Sequence, residues 1–234
     1  MTKTALQRDP DSSTDESDLR IEVHSALAIA ASERAEVLAL FRVAYREANE
    51  AYLIASLGKF RFIATARAGG VLVGFGLGEA RLLDLPRLPR QAVTLGGICC
   101  IDAGFRRRGL FRRLETAAFL ASDIELRPRF LGCGRVAHPA SFGTMVTRPS
   151  HVPRRGVSPT PWHREVGAAV AAAYGVADFD RSTFVCRGRG VPIGYPVLDI
   201  EVKPEEWEIF ATVDRSRGDS LLGLCWFPDA PPDW

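Results

Sequence analysis

Residues 92–120 read AVTLGGICCIDAGFRRRGLFRRLETAAFL. The stretch opens as an apolar, β-prone run through Val93, Leu95, Ile98, Cys99, Cys100 and Ile101, tightens at Ala103-Gly104, and then takes helical spacing through Leu110, Leu114, Ala117 and Ala118. A strand feeds straight into a helix, whose first turn is expected over residues 106–109. The first N–H groups of a helix lack carbonyl partners and lie at the positive end of its aligned peptide dipoles, so main chain there can hold an anion. Gly109 puts no side chain between that mouth and the anion, and Arg106, Arg107, Arg108 and Arg112 add charge-assisted donors. The pattern predicts a diphosphate site. It is not a P-loop, because no G-x-x-x-x-G-K-[ST] occurs, and Arg-Arg-Arg-Gly lacks the spaced glycines of a dinucleotide fold.

The same segment resembles the acyl-CoA-binding core of the GCN5-related N-acetyltransferases, the GNAT superfamily. There an (Arg or Gln)-x-x-Gly-x-(Gly or Ala) turn joins the fourth strand to the third helix. Arg106 takes the first position, Gly109 the central glycine, and Leu110 follows it. Two residues depart from the pattern: Phe111 stands where a small residue is usual, and Ala103 where a proline is common. Phe111 fits if its ring turns into the core and only its N–H faces the phosphate. The resemblance covers about residues 19–145. It implies an α/β fold, a mixed twisted sheet flanked by helices, with acetyl-CoA as co-substrate for direct acyl transfer to an amine. It also implies a diphosphate held by Arg106, Arg107, Arg108, Gly109, Leu110, Phe111 and Arg112, and a pantetheine arm paired with main chain at Cys99 and Ile101. Many relatives carry a tyrosine near the next helix that protonates the departing thiolate; Phe142 occupies the nearest comparable place here. That leaves open a catalytically silent acyl-CoA-binding or protein-interaction module.

With 234 residues, 47% of them hydrophobic, the chain can bury a substantial core. A net charge of +2 does not mark a nucleic-acid protein, although eleven arginines between Arg106 and Arg155 make the middle of the chain basic. They suit an anionic cofactor, with RNA as a weaker reading, and are otherwise expected to be solvated or paired with acids such as Glu115. Five cysteines without a C-x-x-C pair or matching histidines indicate neither a metal site nor a disulfide framework. With no signal-like segment and no apolar run of about 18 residues, the expectation is a cytoplasmic protein that does not engage membranes. Its amine acceptor is a small molecule or a protein, and a homodimer stays open.

Along the chain, residues 1–18 are expected to form a flexible tail, and residues 19–234 one domain with a helical insertion around 147–175. Strands are predicted at 19–25, 60–66, 71–82, 92–101 and 129–136, with a glycine turn at 68–70. Helices are predicted after Ser32 as cap, at 49–57, from Pro139, and at 160–174. Late strands are expected at 183–187, 196–202 and 220–227, with a short helix at 204–210. Loops 83–91 and 147–161 are expected to line the acceptor pocket, and Phe75, Phe142 and Met145 to close it. The strands at 92–101 and 129–136 should run parallel and, if they diverge, leave a cleft.

Acyl transfer requires an amine that loses a proton, a polarised carbonyl and a protonated or stabilised sulfur. Glu79 and His138 are the candidate bases. Their plainer readings are a solvent-facing strand residue and a helix cap. Tyr174 and Tyr195 qualify as acids only if the fold returns them to the cleft. A nucleophilic Cys99 or Cys133 has no assignable histidine and acid.

Overall fold

The computed structural model describes residues 18–198 and 200–234. The expected tail at 1–18 lies outside the described residues except for Asp18, whose carboxylate accepts the Gly69 N–H at 2.9 Å. The elements are β1 (Arg20–Ser25), α1 (Ala31–Ala44), β2 (Tyr45–Arg46), α2 (Glu50–Leu57), β3 (Phe62–Ala68), β4 (Val71–Leu85), β5 (Leu88–Ile101), α3 (Leu110–Leu120), β6 (Phe130–Val136), α4 (Pro139–Val146), α5 (Pro161–Ala173), β7 (Phe179–Asp180), β8 (Val185–Cys186), β9 (Tyr195–Pro196) and β10 (Ser220–Phe227). One sheet runs β1-β3-β4-β5-β6-β10-β8-β7, and β2 pairs with β9 in a small second sheet. Among the described strand pairs β5–β6 alone is parallel. A helix, α3, joins those two strands, as a parallel crossover requires.

The two faces of the sheet are built differently. Under α3 the floor is made of small residues. Ala64 and Ala66 of β3 pack with Leu110, Leu114 and Ala118 of the helix, and Gly74, Gly76 and Gly78 of β4 lie directly beneath it. A methyl group at Gly78 would sit 2.8 Å from Phe119 Cε1, and one at Gly76 3.3 Å from Leu114 Cβ. These glycines weaken β4 as a strand but let the helix seat closely. The opposite face carries α1 and α2 on Ile63, Phe75, Leu77, Ile98 and Cys100. Further along the sheet, α5 packs Val166 and Val170 into a core with Leu131, Leu221, Leu224 and Trp226.

Several expectations change. Ser32 does not cap α1, which begins two residues earlier than that cap implies, with Ala30 at its N-cap and no side-chain cap. Residues 83–91 are not a loop but the tip of a long hairpin, paired out to Leu85↔Leu88, with Trp162 of α5 donating to the Pro86 carbonyl at 2.8 Å. The strand expected at 196–202 shrinks to β9, and 204–210 is two consecutive 3₁₀ turns, with Phe210 buried. Trp234 packs edge-on against both Trp162 and Trp226. No helix among the described residues is long and apolar enough to cross a membrane.

Candidate active site

The ladder between β5 and β6 stops at Gly96↔Gly134, while both strands continue beyond it. The cause lies on the other edge of β5. Gly76 pairs with Cys99 and Gly78 with Gly96, so two β5 residues, Gly97 and Ile98, stand opposite Leu77 alone. Such a bulge bends and twists its strand, turning the end of β5 away from β6 and opening a fork. Position 97 has room only for glycine, since a methyl group there would meet Leu77 and Phe60 at 2.8 Å.

The apex of the fork is pegged. The Tyr174 hydroxyl lies 3.0 Å from the Gly96 carbonyl and 2.9 Å from the Cys133 carbonyl, one from each strand. Next to it the Ala173 carbonyl accepts from Arg81 at 3.1 Å. The end of α5 therefore sets the depth of the cleft. Burial pushes the Tyr174 phenol well above its usual value, and with its hydroxyl set on two main-chain carbonyls this tyrosine returns to the cleft as a peg between the strands.

At the open end stands the start of α3. The helix begins at Leu110, later than expected, because Arg106–Gly109 form the loop before it. Its first internal bond runs from the Arg113 N–H to the Gly109 carbonyl, so the N–H groups of Leu110, Phe111 and Arg112 have no carbonyl within the helix. Gly109 sits at φ +71° and a methyl group there would touch nothing within 4 Å. It is required by left-handed backbone, and the mouth beside it is open. Arg107 (φ +63°) and Arg108 are exposed. Arg106 instead folds back, donating to the carbonyls of Ile101 at 3.1 Å and Val197 at 2.8 Å, so it shapes the loop. The Phe111 ring does not enter the core; half-buried, it lines the cleft.

The cleft runs past Gly96, Ile98 and Cys99 on one side and Gly134 to His138 on the other. Neither 83–91 nor 147–161 borders it, and of the three residues expected to close it only Met145 does. Phe75 and Phe142 are buried in packing, Phe142 against Gly223, where a methyl group would lie 2.8 Å from its ring. Two carboxylates flank the apex from opposite faces. Glu79, on the α1 face, is 0% exposed rather than solvent-facing. Its Oε1 accepts from Arg81, and among the described residues its Oε2 has no partner. Removing Arg81 would leave a buried charge uncompensated, at a cost of about 3–5 kcal/mol. Glu115, on the α3 face, points at the Gly96 backbone, with Oε1 3.0 Å from where a Gly96 methyl would be. It forms no ion pair among the described residues, contrary to its expected pairing with arginine, and burial raises its pKa to about 8. Sequence reasoning missed it as a site residue. The available signal was an acid next to Leu114, on the shoulder of the helix's buried stripe.

His138 caps α4, its Nδ1 accepting the Ala140 N–H at 3.2 Å. Burial and the charge of Arg215 lower its pKa. With Nδ1 as acceptor, neutral His138 carries its proton on Nε2 and offers the cleft a donor, not a base. Burial pushes the thiols of Cys99 and Cys133 well above their usual range, which disfavours a covalent route. Cys99 and Ile101 lie on the stretch of β5 that has left β6.

No protein-family model and no curated relative matches the sequence. Among solved structures, the chain is similar to an aminoglycoside acetyltransferase from an uncultured soil metagenomic sample (15% identity, TM-score 0.34, covering 47% of this chain and 75% of that one). It is also similar to a diaminobutyrate acetyltransferase from Paenibacillus lautus in complex with its substrate and coenzyme A (18%, 0.35, 54% and 69%). A third is a GNAT-family N-acetyltransferase from Escherichia coli in complex with coenzyme A (15%, 0.38, 54% and 67%). Each of these similarities spans about half of this chain.

Proposed function

We propose that the protein is an acyl-CoA-dependent N-acyltransferase, moving an acetyl group from acetyl-CoA to an amine. The observation that carries the reading is the fork, where β5 and β6 part at Gly96↔Gly134 and a helix mouth opens beside an unobstructed Gly109. The residues present fit the co-substrate. The free N–H groups of Leu110, Phe111 and Arg112 and the exposed Arg107 and Arg108 would hold the diphosphate, and main chain at Cys99 and Ile101 would hold the pantetheine amides. Bound acetyl-CoA supplies the acyl group already activated as a thioester.

The two carboxylates divide the proton work by face. Glu79, with its unpartnered Oε2 on the α1 face, receives the amine and takes its proton. Glu115, whose pKa of about 8 keeps it mostly protonated at neutral pH, holds a proton on the α3 face for the departing sulfur. That match suits general-acid catalysis of a thiol near its own pKa, and it fills the role for which Phe142 has no hydroxyl. The Nε2 proton of His138 adds a neutral donor. Calorimetry with acetyl-CoA tests the reading: wild type binds and Gly109→Asp does not. Failure of wild type to bind acetyl-CoA or longer acyl-CoAs would end it.

A further inference from the structure

Arg215 is the least explained group in the cleft. It stands in a 3₁₀ turn at Arg215–Arg217 and lines the cavity that also contains Gly96, Glu79 and Glu115. Its guanidinium lies 4.7 Å from the Tyr195 ring and 6.0 Å from that of Trp207. These contacts hold the plane in place, yet among the described residues it makes no hydrogen bond, and its Nε is buried without a partner. Arginine carries five N–H donors, and a half-buried guanidinium that uses none of them within the protein is out of the ordinary.

Among the described residues it also forms no ion pair. The nearby acids are committed elsewhere: Asp219 to the Gly188 N–H, Arg187 and the Asp214 N–H, and Asp214 to Ser216. Among the described residues the fixed charge that acts on Arg215 is another cation, Arg46, and burial is the largest influence, working against its charged form. Its positive field reaches His138. Burial of a lone cation is costly unless an anion completes it. A flat guanidinium, pre-oriented by aromatic rings, is suited to two parallel hydrogen bonds to a carboxylate or phosphate.

We infer that Arg215, clamped by Tyr195 and Trp207, is the receptor for an anionic group, carboxylate or phosphate, on a ligand bound in the cleft. Resting on the acyltransferase reading, this gives two sources: a carboxylate on the amine acceptor, or a phosphate of the co-substrate. An acceptor carboxylate would make the substrates amino acids or their relatives.

Two arms on the full chain separate these sources, with Arg215→Gln removing the charge and Arg215→Lys restoring it without the flat fork. In the first, calorimetry measures acetyl-CoA and 3′-dephospho-coenzyme A. In the second, L-lysine is compared with L-lysinamide and β-alanine with β-alaninamide, both by thermal shift without co-substrate and as acceptors in acetyl transfer. An acceptor carboxylate predicts that acids outperform amides in wild type. It also predicts that Arg215→Gln erases the preference by about 10- to 100-fold in KM, with partial recovery in Arg215→Lys and unchanged acetyl-CoA affinity. A co-substrate phosphate predicts a loss of that size in acetyl-CoA affinity and no acid preference. If Arg215→Gln changes neither arm, the inference is overturned while acetyl-CoA binding by wild type leaves the function standing. If wild type binds no acyl-CoA, the function falls and the thermal-shift arm alone decides Arg215: no carboxylate-dependent protection overturns it.

Discussion

Glu115→Gln should make the protein's stability far less sensitive to pH. The Glu115 carboxyl sits against Gly96 at the cleft apex, and burial moves its pKa from 4.5 to about 8. The folded state therefore holds a proton that the unfolded chain releases above pH 4.5. Stability from this group is fully present below pH 4.5 and is lost as pH rises to about 8. A shift of about 3.5 units at about 1.36 kcal/mol per unit sets a ceiling near 5 kcal/mol. The carboxyl borders an open cleft, so solvent screening brings the expected value to ~2–3 kcal/mol. Glutamine has nearly the same shape and no titration. Urea unfolding at pH 5, 7 and 9 should show wild type losing ~2–3 kcal/mol that Glu115→Gln keeps. Parallel curves for the two proteins across that range would refute the reasoning. The acid role has its own signature: acetyl transfer by wild type declines as pH rises through about 8, and Glu115→Gln is slower and lacks that limb.

Gly109→Asp should weaken acetyl-CoA binding at least about 10-fold more than Gly109→Ala, because both strain the φ +71° backbone while only the carboxylate repels the diphosphate; equal losses by calorimetry would mean that no anion docks there. Tyr174→Phe should cost ~1–2 kcal/mol in urea unfolding, for a buried hydroxyl serving two carbonyls, yet leave kcat within about threefold; a large fall in kcat with altered pH dependence would restore the tyrosine as an acid. Gly78→Ala should destabilise by ~1–3 kcal/mol as its methyl meets Phe119 at 2.8 Å, and unchanged stability would contradict the close seating of α3.

The local order of the fold was legible because it is written in short-range pattern. Alternation and glycine turns gave the β3–β4 hairpin, with Gly69 and Gly70 both at positive φ. Pro139 and Thr160 marked the starts of α4 and α5. An apolar strand leading through Gly109 into a helix set the parallel β5–β6 pair and the open helix mouth. These features depend on neighbours within a turn or a pleat, so the amino-acid order alone suffices to specify them.

The chemistry at the apex was not legible, since each part of it comes from a different distance along the chain. Glu115 reads as a surface acid until its helix is pressed onto the small residues of β3 and β4, which turns its carboxyl toward Gly96. Glu79 reads as an alternating strand residue until α5 covers its face and Arg81 is tied to Ala173. Tyr174 and Arg215 lie far downstream, and only the return of α5 and of the segment before β10 brings a hydroxyl to the fork and a guanidinium to its rim. Burial, which raises the pKa of Glu115 and of Tyr174, is a property of the assembled faces. The sequence by itself thus determined an open helix mouth after Gly109, whereas the tertiary structure decided which side chains line the fork beside it, because they come from elements far apart in the chain.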